Sequence, residues 1–299
     1  MRIILLGTGC PAVHPERGGA AQLVAGRDAA ALVDVGSGAT QALVAAGLPG
    51  ARLDALFVTH LHSDHLVDLY QLIVSSWHQG RDRPWRIFGP EGLRAFVDAT
   101  MAVWAEERAQ RIAFERRPSI VGLEVEVIEI GPGERVPLGD LVFTAVEVDH
   151  QPVAPAFGFI VEDGARKAVL SGDTRACAAL IEAGRGADLL VHEVFLHREM
   201  TPLPGVRDAD TIAAVASYHT LSSEVGQVAR DMGAAALALT HFVPPAFDRG
   251  ALLAEVAESY PGPIFVGEDG MAFDLATGEI RWRGLEARAF GFSGGGGRA

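Results

Sequence analysis

Thr59-His60-Leu61-His62-Ser63-Asp64-His65 follows directly on the apolar run Ala55-Leu56-Phe57-Val58, and this junction decides how the rest of the chain is read. A short apolar run ended by polar residues reads as a buried strand, so the histidines and the aspartate sit on the loop leaving its C-terminal end. Such a loop turns His60 and His62 toward one point and presents Asp64 and His65 to a second. Neutral imidazole and carboxylate together suit zinc or a similar first-row ion, and two neighbouring sites would share their remaining ligands. The plainer alternative is a solvated polar loop, or a helix N-terminus with Asp64 near the cap. Four potential ligands in six residues, after so clean a strand, argue against it.

A metal site built from several loops needs ligands at other strand ends, and the sequence offers three: Val148-Asp149-His150, Ser171-Gly172-Asp173-Thr174 and Leu239-Thr240-His241. Taken singly, His150 or His241 passes for a structural histidine; beside the first cluster, each becomes a candidate ligand. Working outward, the N-terminal half alternates short strands (2–6, 20–25, 30–34, 55–59) with Gly-rich turns. A helix opens at Ser37 as N-cap and closes at Gly47 and Pro49, and another follows His65. From Pro90 to about Arg116, Leu93, Phe96, Val97, Met101 and Trp104 recur at helical spacing, a stripe that reads first as core packing. The second half adds strands at 121–130, 141–148, 156–162 and 167–171. It then alternates helices (174–183, 222–231, 249–259) with strands (189–192, 236–240, 264–266, 271–275, 279–283). Two halves of sheet, each with helices, predict an α/β fold layered helix, sheet, sheet, helix. No Pro/Ser-rich linker divides them, so residues 1–290 are expected to form a single domain and 291–299 a flexible Gly-rich tail.

Composition narrows the function. With 299 residues, 49% of them hydrophobic, and a mean hydropathy of +0.21, the chain can bury a sizeable core. Its net charge of −13 has the wrong sign for a protein that binds by neutralising nucleic-acid phosphates, although a local basic patch stays open. Two cysteines, Cys10 and Cys177, match no disulfide framework or thiolate metal site and point to a reducing compartment. Met1-Arg2-Ile3-Ile4-Leu5-Leu6-Gly7 reads as a first strand, too short for a signal sequence. No run approaches 18 apolar residues, so a soluble, cytoplasmic protein is expected.

The sequence resembles the metallo-β-lactamase superfamily, and within it the subgroup of the tRNA 3′-processing endoribonuclease Z with its arylsulfatase-like and phosphodiesterase-like relatives. The resemblance is carried by Ile3-Ile4-Leu5-Leu6-Gly7-Thr8-Gly9, Leu32-Val33-Asp34-Val35-Gly36-Ser37-Gly38 and the His60-to-His65 signature. It continues through Val169-Leu170-Ser171-Gly172-Asp173-Thr174-Arg175 and from Leu190-Val191-His192-Glu193 to Ala238-Leu239-Thr240-His241-Phe242, and so covers nearly the whole chain. The subgroup is indicated by Gly172-Asp173-Thr174-Arg175 together with His219-Thr220-Leu221-Ser222-Ser223-Glu224. It implies the four-layer αββα fold and two metal ions, zinc first, with manganese or iron as alternatives. His60, His62 and His150 would hold one, Asp64, His65 and His241 the other, with Asp173 bridging and Asp34 supporting the signature loop from behind.

Two metals sharing a carboxylate can share a water and supply hydroxide near neutral pH as the nucleophile. Hydrolysis also needs a proton donor or charge stabilisation at the leaving group. His219 matches the subgroup's catalytic histidine, Glu193 its orienting carboxylate, and Asp64 is suggested as a handler of the nucleophile's proton. His192 is placed at a strand end behind the ligands, and His14, His78 and His197 are read as structural or surface residues. Arg175 is equally an anion contact or a surface residue.

The sequence also departs from the subgroup. His150 and Asp173 are only 23 positions apart, which leaves no room for the long basic arm of the dedicated tRNA-processing enzymes. After His241 comes Phe242-Val243-Pro244-Pro245-Ala246-Phe247 where the family carries a basic residue. Trp77, Trp85, Met101, Trp104, Pro244 and Phe247 are candidates for an apolar pocket above the metals, with core packing the simpler account for several of them. The expectation is therefore a dinuclear-zinc hydrolase of a small-molecule ester (phosphodiester, sulfate ester, carboxyl ester or lactone), with nucleic acid unlikely as a partner and no membrane. The alternatives are an endoribonuclease Z-type nuclease lacking the arm, with its basic surface supplied by a partner subunit, or a non-catalytic metal-binding sensor. A redox member would need a flavin or iron partner for which the chain has no extra domain. A homodimer, with the Pro90-to-Arg116 segment at its interface, is left open.

Overall fold

The computed structural model describes residues 1–288, so the tail expected at 291–299 lies outside the described residues. Six strands come first: β1 (Arg2–Gly7), β2 (Ala21–Ala25), β3 (Ala30–Val33), β4 (Ala55–Phe57), β5 (Trp85–Gly89) and β6 (Val125–Glu129). Seven more build a second sheet: β7 (Arg135–Leu138), β8 (Leu141–Glu147), β9 (Phe157–Glu162), β10 (Lys167–Leu170), β11 (Leu189–Phe195), β12 (Leu237–Val243) and β13 (Ile264–Val266). The last three, β14 (Ala272–Asp274), β15 (Glu279–Trp282) and β16 (Leu285–Arg288), return to the first sheet, whose order is β16-β15-β14-β1-β2-β3-β4-β5-β6. The second sheet runs β13-β12-β11-β10-β9-β8-β7. Thus β14, β15 and β16 close the first sheet after the chain has built the second, a crossover that two independent halves would not show.

Alternation along the strands explains the layering. On β1, Ile3 and Leu5 point into the core between the sheets while Ile4 and Leu6 point outward, and all four are buried because helices cover the outer face. Phe57 anchors the inter-sheet core, stacked on Phe143 of the other sheet at 4.1 Å and on Phe88 of its own at 4.9 Å. Helices α1 (Ala39–Ala45), α2 (Leu69–His78) and α3 (Leu93–Val103) supply the outer core of the first sheet. After α4 (Ala105–Glu115), helices α5 (Ala178–Ala183), α7 (Ser222–Met232) and α8 (Arg249–Ala257) cover the second sheet, with α6 (Ala209–Ala216) between α5 and α7 in sequence. These are the four layers of an αββα sandwich.

Local details depart from the sequence reading for physical reasons. The helix expected at Ser37 starts one residue later: Gly38, at a φ of 83°, holds its N-cap position and no side chain caps it. The Pro90-to-Arg116 segment is two helices broken at Trp104, and only Leu93 and Val97 of its stripe are fully buried, while α4 buries nothing. Strands β5, β7 and β16 and helix α6 have no counterpart in the sequence reading. Trp77 and Trp85 lie in the helix-covered core of the first sheet, so they line no pocket above a metal, and Trp104 stacks on Tyr70 at 5.0 Å. No helix among the described residues is long and apolar enough to cross a membrane.

Candidate metal centre

In the first sheet β3, β4, β5 and β6 run parallel, as do β10, β11, β12 and β13 in the second, and ligand-bearing loops leave the C-terminal ends of β4 and β10. The two sheets are stitched together at that edge. Phe157 N–H donates to the Thr59 carbonyl at 2.9 Å, and Phe242 N–H to the Thr8 carbonyl at 3.1 Å. Gly172, at φ 59°, lets the Asp173 loop approach: a Cβ there would lie 2.4 Å from the Phe157 carbonyl oxygen and 3.1 Å from Thr59 Cβ.

Around this edge His60, His62, His150 and Asp173 form one group of donor atoms and Asp64, His65 and His241 a second, the atoms of each within 4.8 Å of one another. His60 Nε2 and His150 Nε2 face His62 Nδ1 at 3.0 and 3.2 Å. A tetrahedral zinc site with bonds near 2.0–2.1 Å has edges of about 3.3 Å, so these contacts have the spacing of lone pairs converging on a cation. Asp173 Oδ2 lies 3.3 Å from both His65 Nε2 and His241 Nε2, and 3.8 and 3.9 Å from His60 Nε2 and His150 Nε2. Asp64 Oδ2 is 3.2 Å from His241 Nε2 and 3.6 Å from His65 Nε2.

The electrostatics suit the same ion. Burial, reinforced by neighbouring imidazoles, holds His60 well below its ordinary pKa, and burial likewise lowers His62 and His150, leaving all three neutral as metal ligands must be. At His65 burial acts downward but the Asp173 and Asp34 carboxylates outweigh it and raise the pKa, a sign of negative charge concentrated in the second group. Among the described residues His65 Nε2 is buried without a hydrogen-bond partner while its Nδ1 faces Asp34 Oδ2 at 2.7 Å. An imidazole held from behind by a carboxylate, its other nitrogen turned to a site where a cation can replace the proton, is what a metal takes up. The residues present therefore fit a divalent metal.

Supports behind the ligands are equally specific. Asp34 accepts from Thr59 N–H and Thr59 Oγ1–H, both at 2.8 Å, as well as facing His65. His60 Nδ1 pairs with Thr59 Oγ1 at 3.0 Å, and His150 Nδ1 donates to the Tyr218 carbonyl at 2.9 Å. Sequence reasoning missed Thr59 and Tyr218; Thr59 was detectable as the hydroxyl directly before the signature, whereas a backbone carbonyl leaves no residue-type signal.

His219 adjoins the cluster and forms a third group of donor atoms with Asp173 and His241. Its Nδ1 lies 2.8 Å from Glu193 Oε1, which also accepts from Thr174 N–H at 3.0 Å and Thr220 N–H at 3.2 Å. Burial would push the His219 pKa down, but the charge and hydrogen bond of Glu193 prevail and lift it to about 9. His192 lies within β11, buried, its Nδ1 against the Glu193 carbonyl at 2.8 Å, and takes no part in the cluster. His14 bridges to Arg17 in an N-terminal loop, exposed His78 contacts Arg111 and Arg117, and His197 faces Ser222. Arg175 is paired with Asp149, 2.7 Å from Nε to Oδ2, and Phe247 packs on Phe242 at 4.6 Å.

Comparison with known proteins places this arrangement. A model of the β-lactamase superfamily domain matches residues 31–242. The ribonuclease Z of Mycobacterium bovis (strain BCG / Pasteur 1173P2) is 34% identical over 275 residues, covering 90% of this chain and 96% of the relative, and that of Mycobacterium sp. (strain KMS) is 35% identical over 276 residues, covering 90% and 94%. Among solved structures, the short form of human tRNase Z superposes with a TM-score of 0.69 at 23% identity, covering 92% of this chain and 99% of that one, which speaks for the fold. These relatives correct the substrate expectation. A small-molecule ester with nucleic acid unlikely does not stand beside near-full-length relatives that are ribonucleases by name. The physical reason is that −13 is a whole-molecule sum, whereas a polynucleotide meets only the local field at the site, where bound cations would add positive charge.

Proposed function

The chain belongs to the metallo-β-lactamase superfamily and is a ribonuclease Z-like, metal-dependent hydrolase of phosphoester bonds, and from that premise we propose that it is an endoribonuclease cleaving a phosphodiester of precursor tRNA. The observation that carries this reading is the match to ribonuclease Z across 90% of the chain, which spans every member of the metal cluster.

We further propose two zinc ions, His60, His62 and His150 holding one, Asp64, His65 and His241 the other, with Asp173 between them. Bound there, zinc supplies Lewis acidity and brings the pKa of a water toward neutrality. The protein's own groups do the rest. Asp64, whose side chain is 10% exposed and borders a surface pocket, turns Oδ2 toward His65 and His241, and its other carboxylate oxygen can take the proton of the attacking water. His219, kept protonated by Glu193, delivers a proton from Nε2 to the departing oxygen of the scissile phosphodiester. Glu193 is buried and fixed by two backbone N–H groups, so it holds the imidazole in one orientation. The short interval between His150 and Asp173 is filled by the β9–β10 hairpin, so RNA must be held by segments other than an arm at that position.

The test is cleavage of a purified 3′-extended tRNA transcript by the zinc-loaded protein alone, with the cut site mapped and Asp173→Ala as control. An Asp173-dependent cut on the 3′ side of the acceptor stem is expected. Intact transcript in the presence of two bound zinc ions per chain would refute the reading.

A further inference from the structure

His241 enters the metal cluster through a bulge. Glu193 of β11 lies opposite Thr240 and Val194 opposite Phe242, so His241 is the extra residue on β12, at a φ of 44°. Left-handed backbone is costly for a residue with a Cβ, and it persists where surrounding structure imposes it. The bulge also breaks the rule that successive strand residues face opposite sides. As a result Thr240 and His241 border the same small cavity between the two sheets, behind the ligands.

That cavity gathers polar side chains between apolar walls such as Leu170 and Val191. Besides Thr240 and His241 its polar side chains are Gln22, Asp34, His65, Ser171 and Asp173, and it leaves about 10 Å³ of room for the centre of a water molecule. Gln22 is 7% exposed and lies on the face of β2 that carries Val24 into the inter-sheet core, where an amide is out of place without a polar counterpart. Of the four candidate metal ligands that turn Nε2 toward the cluster, three have a protein group at Nδ1: His60 has Thr59 Oγ1, His65 has Asp34, and His150 has the Tyr218 carbonyl. His241 is the exception. Among the described residues its Nδ1 is buried and has no partner, and the neighbouring Thr240 Oγ1 is buried and has none either. A histidine that ligates a metal through Nε2 carries its proton on Nδ1 and needs an acceptor there.

We propose that this cavity is a binding site for one structural water, which accepts from His241 Nδ1–H and is held by Thr240 Oγ1 and the Gln22 amide. Thr240 and Gln22 are thereby positioning residues for His241, acting through the water. The space is that of a single water, and the wall offers the two to four polar partners such a water requires. The inference rests on His241 being a metal ligand, as proposed above, but not on the identity of the RNA substrate.

Two measurements test it. In a crystal structure of the zinc-loaded protein at a resolution that shows ordered water, a peak within hydrogen-bond distance of both His241 Nδ1 and Thr240 Oγ1 is expected. An empty cavity, or His241 Nδ1 turned to a protein acceptor, overturns the proposal. Zinc dissociation constants from chelator competition supply the second. Thr240→Val and Gln22→Leu should each weaken one of the two zinc sites by about 10–100-fold, while Thr240→Ser, which keeps the hydroxyl, binds as the wild type does. Wild-type affinity in both Thr240→Val and Gln22→Leu, or equal loss in Thr240→Ser and Thr240→Val, overturns it. Neither readout involves RNA, so failure to cleave a transcript and failure of the water site are separable results.

Discussion

Glu193 Oε1 lies 2.8 Å from His219 Nδ1 and accepts in addition from the backbone N–H groups of Thr174 and Thr220, so one buried oxygen fixes an imidazole and two loops at once. An acid that donates from the His219 ring works only while protonated, and activity falls as pH rises through its pKa, which Glu193 lifts to about 9 against the downward push of burial. Glu193→Gln keeps an acceptor for both backbone groups and removes the charge. The alkaline limb of the kcat profile should therefore move to lower pH, with metal content unchanged. His219→Ala should reduce kcat by about 10²–10⁴-fold on the transcript. An unmoved alkaline limb in Glu193→Gln would remove Glu193 from this role.

Asp173 tests the shared position. Its Oδ2 is at 3.3 Å from one histidine pair and at 3.8 and 3.9 Å from the other, so its loss should affect both groups rather than one. Elemental analysis of Asp173→Ala should show fewer than two zinc ions per chain, and His60→Ala should lose metal chiefly from the His60, His62 and His150 group. Full metal content in both variants would sink the assignment.

Asp34 concerns the scaffold behind the ligands. Its carboxylate accepts from Thr59 twice and faces His65 at 2.7 Å, at a φ of 60° that an asparagine also tolerates. Asp34→Asn keeps the backbone conformation but places an NH₂ against groups that themselves donate. Zinc affinity should fall by about 10–100-fold, read by chelator competition. If Asp34→Asn binds zinc as the wild type does, the orientation of His65 does not depend on that carboxylate.

Why the cluster was legible and other parts were not follows from where each signal resides. His60, His62, Asp64 and His65 stand in six consecutive residues after a strand, and Asp173 and His241 each follow an apolar run, so local pattern alone brings them forward. Strand β7 carries Pro137 and alternates buried with exposed residues over only four positions, and α6 buries no residue at all, so neither has a periodic signature long enough to detect. Trp77 and Trp85 stay open between core and pocket in the sequence because aromatic residues look alike in either place; their burial in the helix-covered core of the first sheet decides for the core. The bulge at His241 has no composition signal, since the residue at positive φ is a histidine and not a glycine. Net charge misled on the substrate because it carries no positional information.

Phe57 links the core to the chemistry and supplies a prediction of stability. It is the last residue of β4, fully buried, stacked between Phe88 and Phe143 and meeting Phe159 edge-on at 5.4 Å. Two residues later the chain reaches Thr59, whose backbone and side chain begin the network through Asp34 to His65. Phe57→Ala leaves a cavity between close-packed rings and should destabilise the fold by about 3–5 kcal/mol, measured by denaturant unfolding with chelator present so that metal binding does not contribute. Phe57→Leu should cost less, because most of the volume is kept. The cavity also frees the strand that presents His60 and His62, so Phe57→Ala should weaken zinc binding more than a substitution of similar cost in the core of the second sheet, such as Leu252→Ala on the buried face of α8. If the two variants lose stability alike and bind zinc alike, the metal loop is held by its own hydrogen bonds and not by the aromatic stack beneath it.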